Sequence, residues 1–458
     1  MSGVSKPRRD RGRRRTARGA AYDLLHAVHV DDAYANLALP EILDRAGLST
    51  RDAALTTELA YGTLRWQGLY DAVLGTCVDR PLSELDGRLL DVLRLGCHQV
   101  LAMRIPAHAA VSETVALARD VVGEGPARLA NAVLRKVVDG GDRDAWIERV
   151  APGDGAVALA TATSHPAWIV HAFHQALMAH RGSSDPQELR ALLDADNEPA
   201  RPVLVARDIT GAELCALPGV EPGRWSPRAG VLVEGRPDDL YQVRNGAVGV
   251  QDEGSQLVAL ALAAAPVEGR DEVWADLAAG PGGKAALLAR IVAERGGHLV
   301  AVEMHPHRAD LVRRSLPDGP HEVLVGDGRT VLEPSSADRV LVDAPCTGLG
   351  ALRRRPEARW RRSSADLATL GPLQRELLDA ALDVVRPGGV VMYATCSPHV
   401  AETDLVVQDV LKRRSDVVQE DVRPLLPGLS DLGPGPSARL WPHVHGTDGM
   451  YLALLRRV

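Results

Sequence analysis

From Ala17 to Val138 the apolar residues recur at helical spacing. Ala20, Leu24, Leu25 and Val28 form one stripe, Leu89, Leu90, Leu93, Leu95 and Val100 a second, and Val111, Val115, Leu117 and Ala118 a third. This periodicity predicts an all-α bundle over residues 17–140, closed by the breakers Gly140 and Gly141. Residues 1–16 carry no such period and are expected to form a disordered basic tail. Between 145 and 245 the pattern mixes helices (Trp168–Met178, Pro186–Leu193) with a strand-like run, Pro202–Ala206, and predicts a small α+β linker domain. From residue 246 to 458 the period switches. Short buried runs at Val273–Leu277, Leu299–Glu303, Glu322–Val325, Arg339–Val342, Val390–Tyr393 and Tyr451–Leu455 alternate with helical stretches such as Lys284–Glu294 and Leu373–Val385. That alternation predicts an α/β, Rossmann-like, doubly wound sheet flanked by helices on both faces.

The 458 residues suffice for two or three domains with real cores, and the 3% aromatic content means that Ala, Val and Leu must fill them. No apolar run reads as a membrane span or as a secretory signal. Five Cys without a CxxC pair argue against a disulfide framework or a zinc ribbon, so no metal is expected and a reducing cytoplasm is the natural setting. The net charge of -7 does not suggest nucleic acid, but its distribution does. Basic residues crowd Lys6–Arg18, and a second cluster holds Arg353, Arg354, Arg355, Arg359, Arg361 and Arg362 around Trp360. Arginine pairs bidentately with phosphate and Trp stacks on bases, so the second cluster is expected to contact RNA.

Three segments carry candidate chemistry, each at the carboxyl end of an expected parallel strand, where open α/β sheets bind ligands. The first is Asp276-Leu277-Ala278-Ala279-Gly280-Pro281-Gly282-Gly283-Lys284. Its glycines permit a tight turn before a helix N-terminus. Lys284 is followed by Ala285 rather than Ser or Thr, which excludes a Walker loop, and the turn lacks the GxGxxG of dinucleotide enzymes. Glu303 ends the second strand, where an acid can hold a ribose diol, and Asp327 follows the third, placed for an adenine edge. A ribose and an adenine without phosphate suit S-adenosylmethionine.

The other two segments are Asp343-Ala344-Pro345-Cys346-Thr347-Gly348 and Tyr393-Ala394-Thr395-Cys396-Ser397. Carbon 5 of cytosine is a poor nucleophile, and a thiolate adding at carbon 6 turns the ring into an enamine whose carbon 5 can attack a methyl sulfonium. Asp343 is placed to share a proton with ring nitrogen N3. Two cysteines suggest a division between adding to the ring and finishing the reaction, and pattern alone does not say which does which. Amino-group methyltransferases would want [ND]-P-P-[YF] where this chain has Asp-Ala-Pro-Cys. The rival from a different class is a non-catalytic RNA-binding assembly factor.

These motifs resemble those of the bacterial RsmB (Sun, Fmu) family of 16S rRNA cytosine-C5 methyltransferases, along nearly the whole chain. The loop at 276–284 is similar to D-x-C-A-A-P-G-G-K, Asp343–Gly350 to D-A-P-C-S-G-x-G, and Tyr393–Ser397 to Y-x-T-C-S. Val250–Gln256 is similar to V-Q-D-x-x-S-Q, the Arg353–Arg362 segment to R-R-x-P-[DE]-x-x-W, and Gly446–Tyr451 resembles G-T-D-G-F-[FY]. Asn131–Arg135 matches the N-A-V-L-R of NusB-like RNA-binding bundles. The resemblance implies a class I methyltransferase domain behind a NusB-like bundle, acting on 16S rRNA, free or in a partly assembled subunit, as a monomer. It implies that Cys396 attacks carbon 6 and that Cys346 helps release the product. Ala278, Ala279, Gly280, Pro281, Gly282, Gly283, Lys284, Glu303, Asp327 and Asp343 would line the cofactor site. Departures are Ala278 and Gly280 for Cys and Ala, Glu303 for the commoner Asp, and Pro398–Thr403 for P-x-E-[NE], with Glu402 as the acid in that stretch.

Overall fold

The computed structural model describes residues 16–183 and 185–458. The basic tail expected over residues 1–16 lies, Thr16 apart, outside them. The chain forms two compact units, one of residues up to Val170 together with Arg354–Arg361, the other of His171–Arg353 and Arg362–Val458.

The first unit is helical. Its helices begin where the sequence offers a cap: Thr16 accepts from the Gly19 amide, Ser49 from Asp52, Asp86 from Arg88 and Asp142 from Ala145. The stripes read from the sequence meet in one core that holds Leu24, Leu25, Leu59, Tyr70, Leu93, Val133 and Leu134.

Arg354–Arg361, distant in sequence, completes this unit. The last carbonyls of a helix have no intrahelical partner, and here this segment supplies donors to carbonyls at and just beyond helix ends. The Arg359 Nη1 donates to Arg65 O at 3.0 Å and Ser164 O at 3.2 Å, Trp360 Nε1 to Leu64 O at 3.1 Å, and Arg361 Nη2 to Val28 O at 3.0 Å and to Ala33 O. Arg359 is completely buried. The expectation that Arg359 faces phosphate is thereby corrected: its guanidinium closes helix ends, and the neighbouring Trp360 ring sits so close to Gly68 that a Cβ there would collide with it. In the same cluster Arg353 reaches Gly446 O at 2.6 Å within the second unit, and Arg355 is exposed.

The second unit holds two sheets. In the smaller, β1 (Val203–Ala206), β2 (Val220–Pro222), β3 (Ala229–Leu232) and β4 (Val248–Val250) pair antiparallel in the order β2-β3-β1-β4. In the larger, β5 (Val273–Asp276), β6 (His298–Glu303), β7 (His321–Val325), β8 (Ala337–Asp343), β9 (Val385–Thr395), β10 (Val417–Glu420), β11 (Ala438–Leu440) and β12 (Met450–Arg457) follow in chain order. The spatial order is β10-β12-β9-β8-β5-β6-β7, with β11 also on β12. Strands β5 to β9 are mutually parallel, while β12 runs antiparallel to β9, β10 and β11. The sheet is thus the expected Rossmann-like one, with an antiparallel edge. Strand β8 is buried from Ala337 to Val342, as a parallel strand covered on both faces must be. Its Leu341 packs with Trp274 and Met392 on one face, and Val340 and Val342 with Val391 and Tyr393 on the other.

The Arg359 geometry makes a prediction. Arg359→Met should destabilise the helical unit by about 2–3 kcal/mol, because two buried carbonyls lose a charged donor. Thermal unfolding of the full chain followed by Trp fluorescence measures it, and an unchanged transition would contradict the assigned role.

Candidate active site

The parallel pairing of β8 with β9 sets Asp343 opposite Ala394. The Ala344 amide donates to Ala394 O at 2.8 Å beyond the last pair, so the two strands leave the sheet together. Three residues on from Asp343 and two on from Ala394, the Cys346 and Cys396 sulfurs lie 3.5 Å apart, neither in a disulfide and both half-buried. The hydrogen bond with Cys396 and burial push the Cys346 thiol pKa well up, so Cys346 keeps its proton beside the second sulfur.

Behind the sulfurs a buried carboxylate ties the two loops. Glu402, wholly buried, accepts from the Thr347 amide at 2.8 Å, from the Thr347 hydroxyl and from Gln374 Nε2 at 3.1 Å. Thr347 Oγ1 also lies 3.1 Å from Ser397 Oγ, so the residues that follow the two cysteines touch. The Tyr393 hydroxyl donates to Glu402 O at 2.8 Å. Gly350 closes the arrangement. Its amide donates to Cys396 O at 2.8 Å and its carbonyl accepts from Gly449, so closely that a Cβ at 350 would overlap Gly449 O.

Lys284 stands in the first turn of the helix Gly283–Glu294. Its Nζ sits 2.8 Å from Asp343 Oδ2. Burial works against the ammonium, but Asp343 outweighs it, with Cys396 and Asp276 adding to the effect, and the net pKa is raised. Asp276, at the end of β5, is 1% exposed. Its Oδ1 accepts from Ala278 at 3.2 Å, whereas its Oδ2 is buried without a hydrogen-bond partner. Burial, with the Asp343 charge adding to it, pushes Asp276 up to about 7.

The glycine loop joins β5 to this helix. Ala279 N donates to Val302 O at 2.9 Å and the Gly282 amide to Ala279 O at 2.7 Å. Gly282 has φ +112°, open to glycine and strained for other residues. Glu303, 4% exposed, ends β6 with its carboxylate on the His305 amide at 3.0 Å and Arg308 at 3.5 Å. Asp327 follows β7 with its carboxylate on Arg329, whose hydrogen bonds hold its pKa below the usual range.

The strand-end residues named from sequence therefore converge: residues 278–284, Glu303, Asp327, Asp343 and both cysteines occupy the carboxyl edge of β5 to β9. Sequence reasoning did not single out Glu402 as the brace, nor the role of Val250–Gln256. There Asp252 Oδ1 accepts from Gly254 at 2.9 Å and from Asp448 at 3.0 Å, Glu253 from Trp225 and Ser226, and Gln256 donates to Leu204 O at 3.1 Å. That segment anchors the small sheet and the Gly446–Tyr451 loop to the start of the large one. Its signal was the density of polar side chains in a stretch that the helix Glu253–Ala264 buries.

Carboxylates at successive strand ends, a glycine turn at a helix start and paired thiols define a Rossmann-like methyltransferase site. The family model for the 16S rRNA methyltransferase RsmB/F matches residues 261–456, and that of the NusB family matches 15–139. A Mycobacterium tuberculosis protein named only as a candidate methyltransferase is 51% identical over 98% of this chain and 99% of its own. Ribosomal RNA small subunit methyltransferase B of Vibrio cholerae is 32% identical over 96% of each chain. Among solved structures, the one titled PH0851 covers 100% of both chains with a TM-score of 0.78 at 22% identity and shares the fold. The chain belongs to the RsmB/F family and is an S-adenosylmethionine-dependent RNA methyltransferase.

The titration of Asp276 is testable. A carboxyl whose folded pKa is raised keeps a proton that the unfolded chain releases, so its contribution to stability falls as pH rises from 3.8 to about 7. Asp276→Asn should abolish that loss. Chemical denaturation of both proteins across this range should show the native chain losing stability relative to the variant as pH rises. Parallel pH profiles would refute the raised pKa.

Proposed function

We propose that this protein methylates carbon 5 of a cytosine in 16S rRNA through a covalent bond between Cys396 and carbon 6 of the base. The observation that carries the reading is the pair of thiols 3.5 Å apart at the ends of adjacent parallel strands, beside the Lys284–Asp343 ion pair. The names of relatives such as the Vibrio cholerae enzyme support the small-subunit target.

The residues fit the methyl donor. Asp276 carries a buried oxygen without a partner, the loop at Gly280 runs so close to the Glu303 carboxylate that no side chain fits between them, and acids stand at the ends of β6 and β7. Bound there by Ala278–Lys284, Glu303, Asp327 and Asp343, S-adenosylmethionine supplies an electrophilic methyl group. The chain's own residues do the rest. The Cys396 thiolate adds to carbon 6, and a proton reaches N3 from the Asp343–Lys284 pair, leaving carbon 5 nucleophilic. After transfer a water molecule takes the carbon 5 proton, N3 gives its proton back to the Asp343–Lys284 pair, and the Cys396–carbon 6 bond breaks, restoring the aromatic ring and the Cys396 thiolate. Cys346, held protonated against the Cys396 sulfur, donates a hydrogen bond to the departing thiolate. The Glu402 brace keeps the sulfurs in register through these steps.

RNA affinity comes from the NusB-like bundle and from the other arginines of the cluster, Arg353, Arg354, Arg355, Arg361 and Arg362. The target cytosine leaves its stack to enter the site. The enzyme works as a cytoplasmic monomer on 16S rRNA, free or partly assembled.

The test is transfer of labelled methyl to unmodified small-subunit rRNA, with bisulfite sequencing to locate the product. Label at one cytosine, lost in Cys396→Ala, with a trapped protein–RNA adduct in Cys346→Ala, is the expected result. RNA binding that survives Cys396→Ala without any transfer would instead support an assembly factor. Transfer to a different RNA would move the substrate.

A further inference from the structure

Glu303 and Gly280 meet at closer range than the backbone alone requires. The Glu303 carboxylate lies against the Cα of Gly280, and a Cβ at position 280 would overlap Glu303 Oε2 outright. It would also come within 2.9 Å of Arg308 Nη2 and 3.0 Å of Arg308 Nε. Arg308 ties the two residues together. Its Nη2 donates to Gly280 O at 2.7 Å and stands 3.5 Å from Glu303 Oε2. Gly280 has no positive φ, so conformational freedom does not explain the glycine. What remains is room. Glu303 is 4% exposed and its other oxygen is engaged by the His305 amide, so its carboxylate can yield to a side chain at 280 only by leaving this position.

We infer that Gly280 and Glu303 form one steric unit in which the missing side chain at 280 determines the acid that can stand at 303. Gly280 is a positioning residue: it acts on the methyl donor through the place it leaves for the Glu303 carboxylate and the Arg308 guanidinium. Glutamate reaches one methylene further than aspartate, and that extra reach carries its Oε2 into the volume a Cβ at 280 would take. The unit makes an asymmetric demand. With glycine at 280 the longer acid is the better ligand for the donor's ribose diol; with alanine at 280 the shorter acid is. The inference rests on the assignment of Glu303 to the cofactor site made above.

A double-mutant cycle on the full chain separates this from two independent contributions. S-adenosylmethionine affinity is measured by calorimetry, and ligand-free thermal stability is measured alongside. Gly280→Ala should weaken binding about tenfold, the coupling expected of side chains in direct contact. Glu303→Asp should weaken binding in the native background yet improve it in the Gly280→Ala background, and stability should follow the same reversal of sign. Gly280→Ser supplies a second small side chain and should behave as Gly280→Ala does. Equal losses from Glu303→Asp in both backgrounds, with the native chain binding the donor, would overturn the steric unit. A reversal in stability alone, with no donor binding by the native chain, would overturn its place in the cofactor site and with it the donor assignment, while leaving the packing relation intact.

Discussion

The register of two parallel strands governs everything at the site. With Asp343 paired to Ala394, the chain segments leaving β8 and β9 have no freedom to place their next residues independently. Each carries a cysteine within three residues, so the sulfurs must approach one another. Because side chains alternate along a strand, a slip of one residue would turn one cysteine to the opposite face. The buried apolar runs of β8 and β9 resist such a slip, since it would exchange the residues that fill the two faces of the sheet.

That register leaves backbone and charge to be satisfied beyond the sheet, and polar groups arranged in layers do this. Glu402 takes the amide and hydroxyl of Thr347, Gly350 takes the carbonyl of Cys396, and Gly449 closes on Gly350. An unpaired carboxylate buried at this depth would be costly, and Glu402 is instead held by charge-assisted hydrogen bonds from two elements. On the donor side Lys284 offsets Asp343, while at Asp276 burial and the Asp343 charge outweigh Lys284 and push the carboxyl up to about 7. One carboxylate held by a lysine and another pushed toward its neutral form give the crevice two acids of different character within one layer.

Much of this was legible in the sequence for a physical reason. Parallel strands buried on both faces read as short continuous apolar runs, and β5 to β9 lie where those runs predict them. The glycine loop and the cysteine motifs declare themselves because chemistry at strand ends needs particular residue types. The antiparallel strands β10 and β11 are short and mixed in polarity, so they gave no period to read. The arginine-rich segment misleads because a guanidinium buried against helix carbonyls and one facing phosphate have the same composition. Only the position of Arg359 against Arg65 O and Ser164 O distinguishes them. Gly280 and Glu303 read singly as tolerable departures from the family pattern, and their relation exists only in three dimensions.

The central claim is that Cys396 bonds to the base. An rRNA fragment carrying 5-fluorocytidine tests it most directly, because fluorine at carbon 5 cannot leave as a proton and the covalent complex is trapped. Incubation with S-adenosylmethionine followed by peptide mass spectrometry should find the nucleotide on the Cys396 peptide, and no adduct with Cys396→Ala. An adduct on Cys346 instead, or methyl transfer to unmodified RNA by Cys396→Ala, would contradict the account.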